Sequence, residues 1–122
     1  MTTKTTSTLL ATIAAGVMLL GASQALAHAK LVTANPAPNA TVAAPKALTL
    51  KFSEKLEPKF SGFEIANAAG AAVSIKTTVA ADGMGLDGAL AAPLAPGAYK
   101  VTWHAVTADA HRMNGAYTFT VR

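Results

Sequence analysis

Gly97-Ala98-Tyr99-Lys100-Val101-Thr102-Trp103-His104-Ala105 is the stretch that decides the fold. Side chains alternate along an extended chain with a period of two, so Tyr99, Val101, Trp103 and Ala105 share one side and Lys100, Thr102 and His104 the other. One side is largely apolar and the other polar, the pattern of a strand half in a core and half in water. The pattern recurs outward in both directions. Leu48, Leu50 and Phe52 alternate with Thr49, Lys51 and Ser53, and Phe63 and Ile65 with Glu64 and Ala66. Val73, Ile75, Thr77 and Val79 form a further set, and Tyr117, Phe119 and Val121 alternate with Thr118, Thr120 and Arg122. Turn chemistry separates these runs: Asn35 to Asn39 (NPAPN), Glu57-Pro58, Ala69-Gly70, Asp82 to Gly85 (DGMG), Pro93 to Gly97 and Asn114-Gly115. About seven strands are predicted, near 30–34, 47–53, 61–67, 73–79, 86–91, 97–106 and 115–121, with no helical stripe between them. Such short strands with frequent turns give an all-β fold, a small Greek-key sandwich or barrel of immunoglobulin-like type.

The first 27 residues read differently. A short polar start with one cation, Lys4, leads into an apolar run from Leu9 to Leu20 and then into Ala25-Leu26-Ala27. The run is shorter than the ~20 residues that span a bilayer, and Ala-Leu-Ala is a small-x-small cleavage pattern, so residues 1–27 are expected to be a cleaved secretory signal. Residues 28–122 then form one small domain, which buries about two-thirds of its unfolded surface. The chain has no cysteine. Disulfides, thiolate zinc sites, iron–sulfur clusters and thiol redox chemistry are therefore excluded.

With Lys4 set aside, nine Lys/Arg stand against six Asp/Glu. Lys46, Lys51, Lys55 and Lys59 gather in one stretch, which reads as a solvated face. Nothing interleaves aromatic and basic residues in the way nucleic-acid binders do, and no nucleic-acid partner is expected.

The candidate chemistry lies in three histidines and one aspartate. Cleavage after Ala27 makes His28 the first residue of the mature chain, with an α-amine and an imidazole that can close on one metal ion. Cleavage after Ala29, at a second Ala-x-Ala, discards it. Asp109 and His111 form an Asp-x-His pair in the loop after the Trp103 strand. A sulfur-free set of N and O donors suits Cu(II), which also leads the Irving–Williams order. The amine's reference pKa of ~7.7–8.0 makes its deprotonation easy near neutral pH. His104, next to Trp103 and facing the other way, is expected to be exposed, with a supporting contact to the metal ligands as the sharper alternative. Trp103 reads as core.

From end to end the mature segment resembles the CopC/PcoC family of periplasmic copper-binding proteins. The resemblance rests on His28-Ala29-Lys30-Leu31-Val32 with Asn35-Pro36-Ala37, on Leu50-Lys51-Phe52-Ser53-Glu54, and on Pro96 to Trp103 (PGAYKVTW) followed by Asp109-Ala110-His111 and Gly115. It implies a cupredoxin-like Greek-key barrel. It also implies one Cu(II) per chain, held by His28, Asp109 and His111, with Glu54 near the metal as an outer or weak ligand. A CopD-type inner-membrane transporter is implied as partner, a periplasmic location as setting, and a monomer as the working form. Some members carry a methionine-rich loop for Cu(I). The matching stretch here, Ile65 to Val73 (IANAAGAAV), has no Met or His. Only Met84 and Met113 remain in the mature chain, so no dedicated Cu(I) site is expected and Met113 reads as packing.

Two other functions fit parts of the pattern. An N-terminal histidine and a second histidine on copper also make the histidine brace of lytic polysaccharide monooxygenases, although the chain is short for the flat substrate surface they need. A metal-free immunoglobulin-like interaction module is the other. Ser53 with His111 and Asp109 lacks a nucleophile elbow, which argues against a hydrolase.

Overall fold

A computed structural model describes residues 30–122 of the chain; the expected signal segment and His28 lie outside the described residues. Nine strands follow one another: β1 Leu31–Asn35, β2 Thr41–Val42, β3 Ala47–Phe52, β4 Gly62–Asn67, β5 Ala72–Val73, β6 Ile75–Val79, β7 Gly85–Leu90, β8 Gly97–Val106 and β9 Arg112–Val121. A 3₁₀ turn, Pro58–Phe60, precedes β4. The strands form two sheets, β1-β3-β7-β6 and β2-β9-β8-β4-β5, antiparallel except where β2 runs parallel to β9. This is the expected Greek-key sandwich.

Alternation in the sequence becomes alternation in burial. Along β8, Tyr99, Val101, Trp103 and Ala105 are buried, and the residues between them are exposed. Leu48, Leu50 and Phe52 of β3 and Leu86 of β7 meet them from the other sheet, with Phe63, Ile65, Phe119 and Val121 completing the core. Phe52 and Trp103 meet edge to face with ring centroids 5.0 Å apart, and Tyr99 stacks on Phe119 at 5.6 Å, both within the favourable range for aromatic pairs. Tyr99 also donates its hydroxyl to the Ala95 carbonyl at 2.7 Å, which ties the loop before β8 to the core. Lys46, Lys51, Lys55 and Lys59 are all exposed, as a solvated face requires.

Three details differ from the reading by alternation. Thr41–Val42 forms a strand too short to show periodicity; it is held by its register against Thr120 and Val121. The stretch predicted as one strand over 73–79 is two, because the chain changes sheets at Ser74: Val73 pairs with Ile65 in one sheet, and Ile75 pairs with Leu90 in the other. A common inward side for Val73, Ile75, Thr77 and Val79 survives the switch, so periodicity alone does not reveal it. Asn114-Gly115 is not a turn but part of β9, with Gly115 opposite Trp103. A Cβ at Gly115 would stand 2.5 Å from Trp103 Cζ2. The glycine is there to admit the indole, and the turn falls earlier, between Thr107 and His111.

Candidate metal centre

Strands β8 and β9 form a ten-pair ladder from Gly97↔Val121 to Val106↔Arg112. The hairpin that joins them carries both Asp109 and His111. Its geometry is a three-residue loop: Thr107 N–H donates to the His111 carbonyl at 2.9 Å, Ala110 N–H donates to the Thr107 carbonyl at 2.8 Å, and Ala110 has φ +74°. That is a turn followed by one left-handed residue, a standard way to close such a hairpin with the twist of its strands.

Thr107 organises the loop. It is 1% exposed, its hydroxyl donates to Asp109 Oδ1, and its oxygen accepts the His111 N–H at 3.2 Å. Asp109 Oδ2 lies 3.0 Å from His111 Nδ1. The Thr107 hydroxyl first, and His111 second, hold the Asp109 carboxyl at about 2, against an ordinary 3.8. Hydrogen bonds to the ionised form lower a carboxyl pKa in this way. Asp109 is therefore a carboxylate throughout the neutral range.

The connection from β3 to β4 runs alongside this hairpin. Leu56 bridges Thr107, Glu57 N–H donates to the Val106 carbonyl at 2.7 Å, and Ala108 N–H to the Lys55 carbonyl at 3.3 Å. These contacts bring Glu54 to the Asp109 side, where Ser53, Glu54, Lys55, Met84, Ala108 and Asp109 line one shallow cleft. The beginning of the described chain is anchored here too. Lys30 N–H donates to Ser53 Oγ at 2.9 Å, and Ser53 N–H donates to the Lys30 carbonyl at 3.0 Å.

His104 stands apart. It pairs with Gly62 and Asn114 in mid-ladder and is exposed, as its parity predicted. Its ring lies over Gly62, where a Cβ would stand 3.5 Å from His104 Cε1 and 3.2 Å from Thr77 Oγ1. Met113 faces inward opposite Ala105 and packs on the core. Among the described residues no three His, Asp or Glu side chains gather closely enough to hold an ion by themselves; Asp109 and His111 are two donors of a set. Their 3.0 Å separation suits neighbouring positions around one metal, since ligands at about 2.0–2.1 Å and right angles stand about 2.8–3.0 Å apart. Sequence reasoning missed Thr107. Its signal was a β-hydroxyl residue two positions before an aspartate at a strand end, the pattern of a side-chain-capped turn.

Fold and donors together define a small Greek-key β-sandwich protein with a histidine–carboxylate pair at one end. The CopC domain model matches residues 31–122. Copper resistance protein C of Xanthomonas campestris pv. juglandis is 36% identical over 110 residues, covering 84% of this chain and 87% of its own length. Protein YobA of Escherichia coli K12 is 46% identical over 101 residues, covering 79% and 80%. Among solved structures, PcoC, a methionine-rich copper resistance protein from Escherichia coli, superposes with a TM-score of 0.73 at 36% identity, covering 78% of this chain and 99% of PcoC. CopC from Methylosinus trichosporium OB3b gives 0.71 at 35% identity, covering 77% and 93%. The chain belongs to the CopC family.

Proposed function

We propose that this chain is a periplasmic copper-binding protein of copper resistance, exported by residues 1–27 and cleaved to begin at His28. One Cu(II) is its cargo, held by the His28 amine and imidazole, Asp109 and His111, with Glu54 as a nearby carboxylate. It passes copper to a membrane or periplasmic partner, of which a CopD-type transporter is the candidate. The observation that carries the reading is the Asp109–His111 pair, at 3.0 Å and held by Thr107, at the end of the sandwich where Lys30 is tied to Ser53. His28 is two residues before Lys30, a span of about 7 Å at most for extended chain, so the reach needed to bring the amine to this end is short. The relatives' names support copper: two of those compared are copper resistance proteins. Cargo binding displaces a proton from the amine, whereas the Asp109 carboxylate is already ionised.

The test is titration of Cu(II) into exported protein whose intact mass shows a His28 start. One equivalent bound, with nitrogen hyperfine structure in the electron paramagnetic resonance spectrum, is the expected result. Asp109→Ala and His111→Ala each weaken binding, and one glycine added ahead of His28 does so without altering the circular dichroism. Affinity no greater than that of a short His-Ala-Lys peptide overturns the proposal.

A further inference from the structure

Phe60 is 58% exposed, one of two large apolar side chains on the surface among the described residues. A single exposed apolar residue is ordinary; Phe60 differs in how it is held and in what surrounds it. It ends the Pro58–Phe60 turn, whose first residue has a fixed φ. Phe60 N–H donates to the Glu57 carbonyl at 3.1 Å, and Glu57 N–H to the Val106 carbonyl at 2.7 Å. On the other side, Val106 N–H donates to Ser61 Oγ at 3.0 Å. The turn is thereby clamped from both ends to one residue of β8. A shallow cleft opens between it and the β8–β9 ladder, with Phe60, Val106 and Met113 in its apolar lining and Lys59, His104 and Arg112 among its polar groups. Lys59 and Arg112 are exposed, and no Asp or Glu lines the cleft. Val106 and Arg112 are the last pair of the ladder before the hairpin. The cleft therefore adjoins Thr107 along one strand and His111 along the other.

We infer that this cleft is the docking site for the protein that receives the copper, and that it takes an acidic segment of that protein carrying one apolar anchor. The inference rests on the reading of the Asp109–His111 hairpin as part of a copper site. Charge complementarity selects the occupant. Two fixed cations with no carboxylate in the lining attract an acidic chain and steer its approach. An apolar side chain from that segment covers Phe60, and a side chain on a backbone already held loses little freedom on contact. A second copy of this chain fits poorly, because a two-fold contact would set Lys59 and Arg112 against the same cations. With Lys4 set aside, the chain carries nine Lys/Arg to six Asp/Glu. An anionic bilayer supplies charge but no segment to enter the cleft. A partner seated here stands next to the hairpin that carries His111.

Nuclear magnetic resonance of nitrogen-labelled protein with a verified His28 start tests this. The probe is a short synthetic peptide of Asp and Glu flanking one Leu, with a version in which Lys replaces the acidic residues as control. The acidic peptide is expected to shift the amides of Lys59, Phe60, Ser61, Val106 and Arg112, and the basic version none of them. Phe60→Ala is expected to weaken peptide binding about tenfold while keeping the circular dichroism and the Cu(II) affinity of the wild type. Raised salt is expected to weaken binding to the wild type and to change little in Lys59→Glu/Arg112→Glu. Shifts that fall elsewhere, an equal response to both peptides, or a Phe60→Ala variant that binds as the wild type does overturn the inference. So do shifts at Phe60 produced by phosphatidylglycerol vesicles but not by the peptide, which mean a lipid surface, or by raising the concentration of the protein alone, which mean a second copy. A Cu(II) titration on the same sample separates the two readings. Normal uptake without peptide shifts at Phe60 defeats this inference alone; no uptake defeats the copper reading, and with it the docked protein's role as copper acceptor.

Discussion

Thr107 shows how much one side chain can organise. Its buried hydroxyl group contacts the Asp109 carboxylate and the His111 backbone together. Thr107→Val keeps the shape and removes both contacts. The Asp109 carboxyl is then expected to rise from about 2 toward 3.8, readable by carbon NMR of the carboxylate, and Cu(II) affinity to fall about tenfold, the usual effect of losing a group that orients a ligand. The sign of the pH dependence follows from the same shift. A carboxyl depressed in the folded state adds stability that is present above pH 3.8 and is lost as pH falls through about 2. Asp109 stays ionised between pH 7 and 4, so its protonation is not expected to release copper in that interval. A Cu(II) titration over that interval with and without Asp109→Asn checks this: the substitution is expected to lower the overall affinity and to leave the pH dependence of release unchanged. Asp109 and His111 were nominated as candidates by the Asp-x-His spacing together with the family resemblance. Thr107 was not, because a threonine at the end of a strand looks the same whether it caps a turn or points to water.

At the scale of the element, the β8–β9 hairpin joins a structural task to a functional one. Near the loop its ladder matches large residues with small ones on the inward side, Trp103 opposite Gly115 and Ala105 opposite Met113. Gly115→Ala drives a methyl group into the indole and is expected to destabilise by about 1–3 kcal/mol, the cost of overfilling a packed site, seen as a lower denaturant midpoint with an unchanged slope. The hairpin's left-handed residue is Ala110. An L-residue there costs about 1–2 kcal/mol, whereas glycine adds about 0.4–1 kcal/mol of unfolded-chain entropy. Ala110→Gly is therefore expected to raise stability slightly, by about 0–1.6 kcal/mol, measured as a small rise in Tm. Strands were readable wherever one face is buried, since alternation is the imprint of that burial. Gly115 misled because a glycine after an asparagine has the same local signature in a turn and under an indole; only the partner strand distinguishes them.

For the whole molecule, two sheets share one core, and its weak point is polar. Tyr117 Oη is buried and has no hydrogen-bond partner among the described residues; burial pushes its pKa up to about 12. A buried polar group without a partner costs about 1–3 kcal/mol. Tyr117→Phe is expected to stabilise the fold by about 1 kcal/mol, or a Tm gain of about 4–8 °C for a domain of this size. The phenol's raised pKa means stability declines as pH rises from 10 through about 12; Tyr117→Phe removes that decline, which alkaline unfolding curves measure. Copper, if bound only by the folded chain, raises the Tm with its concentration, and the increase is expected to be smaller in Asp109→Ala at the same copper concentration.

The sequence by itself determined the class of the fold, because period-two burial is local and is written in most of the longer strands. It also nominated His28, Asp109 and His111 as candidate donors, because metal chemistry narrows the choice to a few residue types. Tertiary structure alone decided which sheet each strand joins, where the chain switches at Ser74, and that Glu54, Met84, Asp109 and the Lys30 anchor share one end of the molecule. These depend on the pairing of distant segments through backbone hydrogen bonds, and a backbone N–H or carbonyl is the same in nearly every residue. The chain can therefore advertise its faces but not its partners.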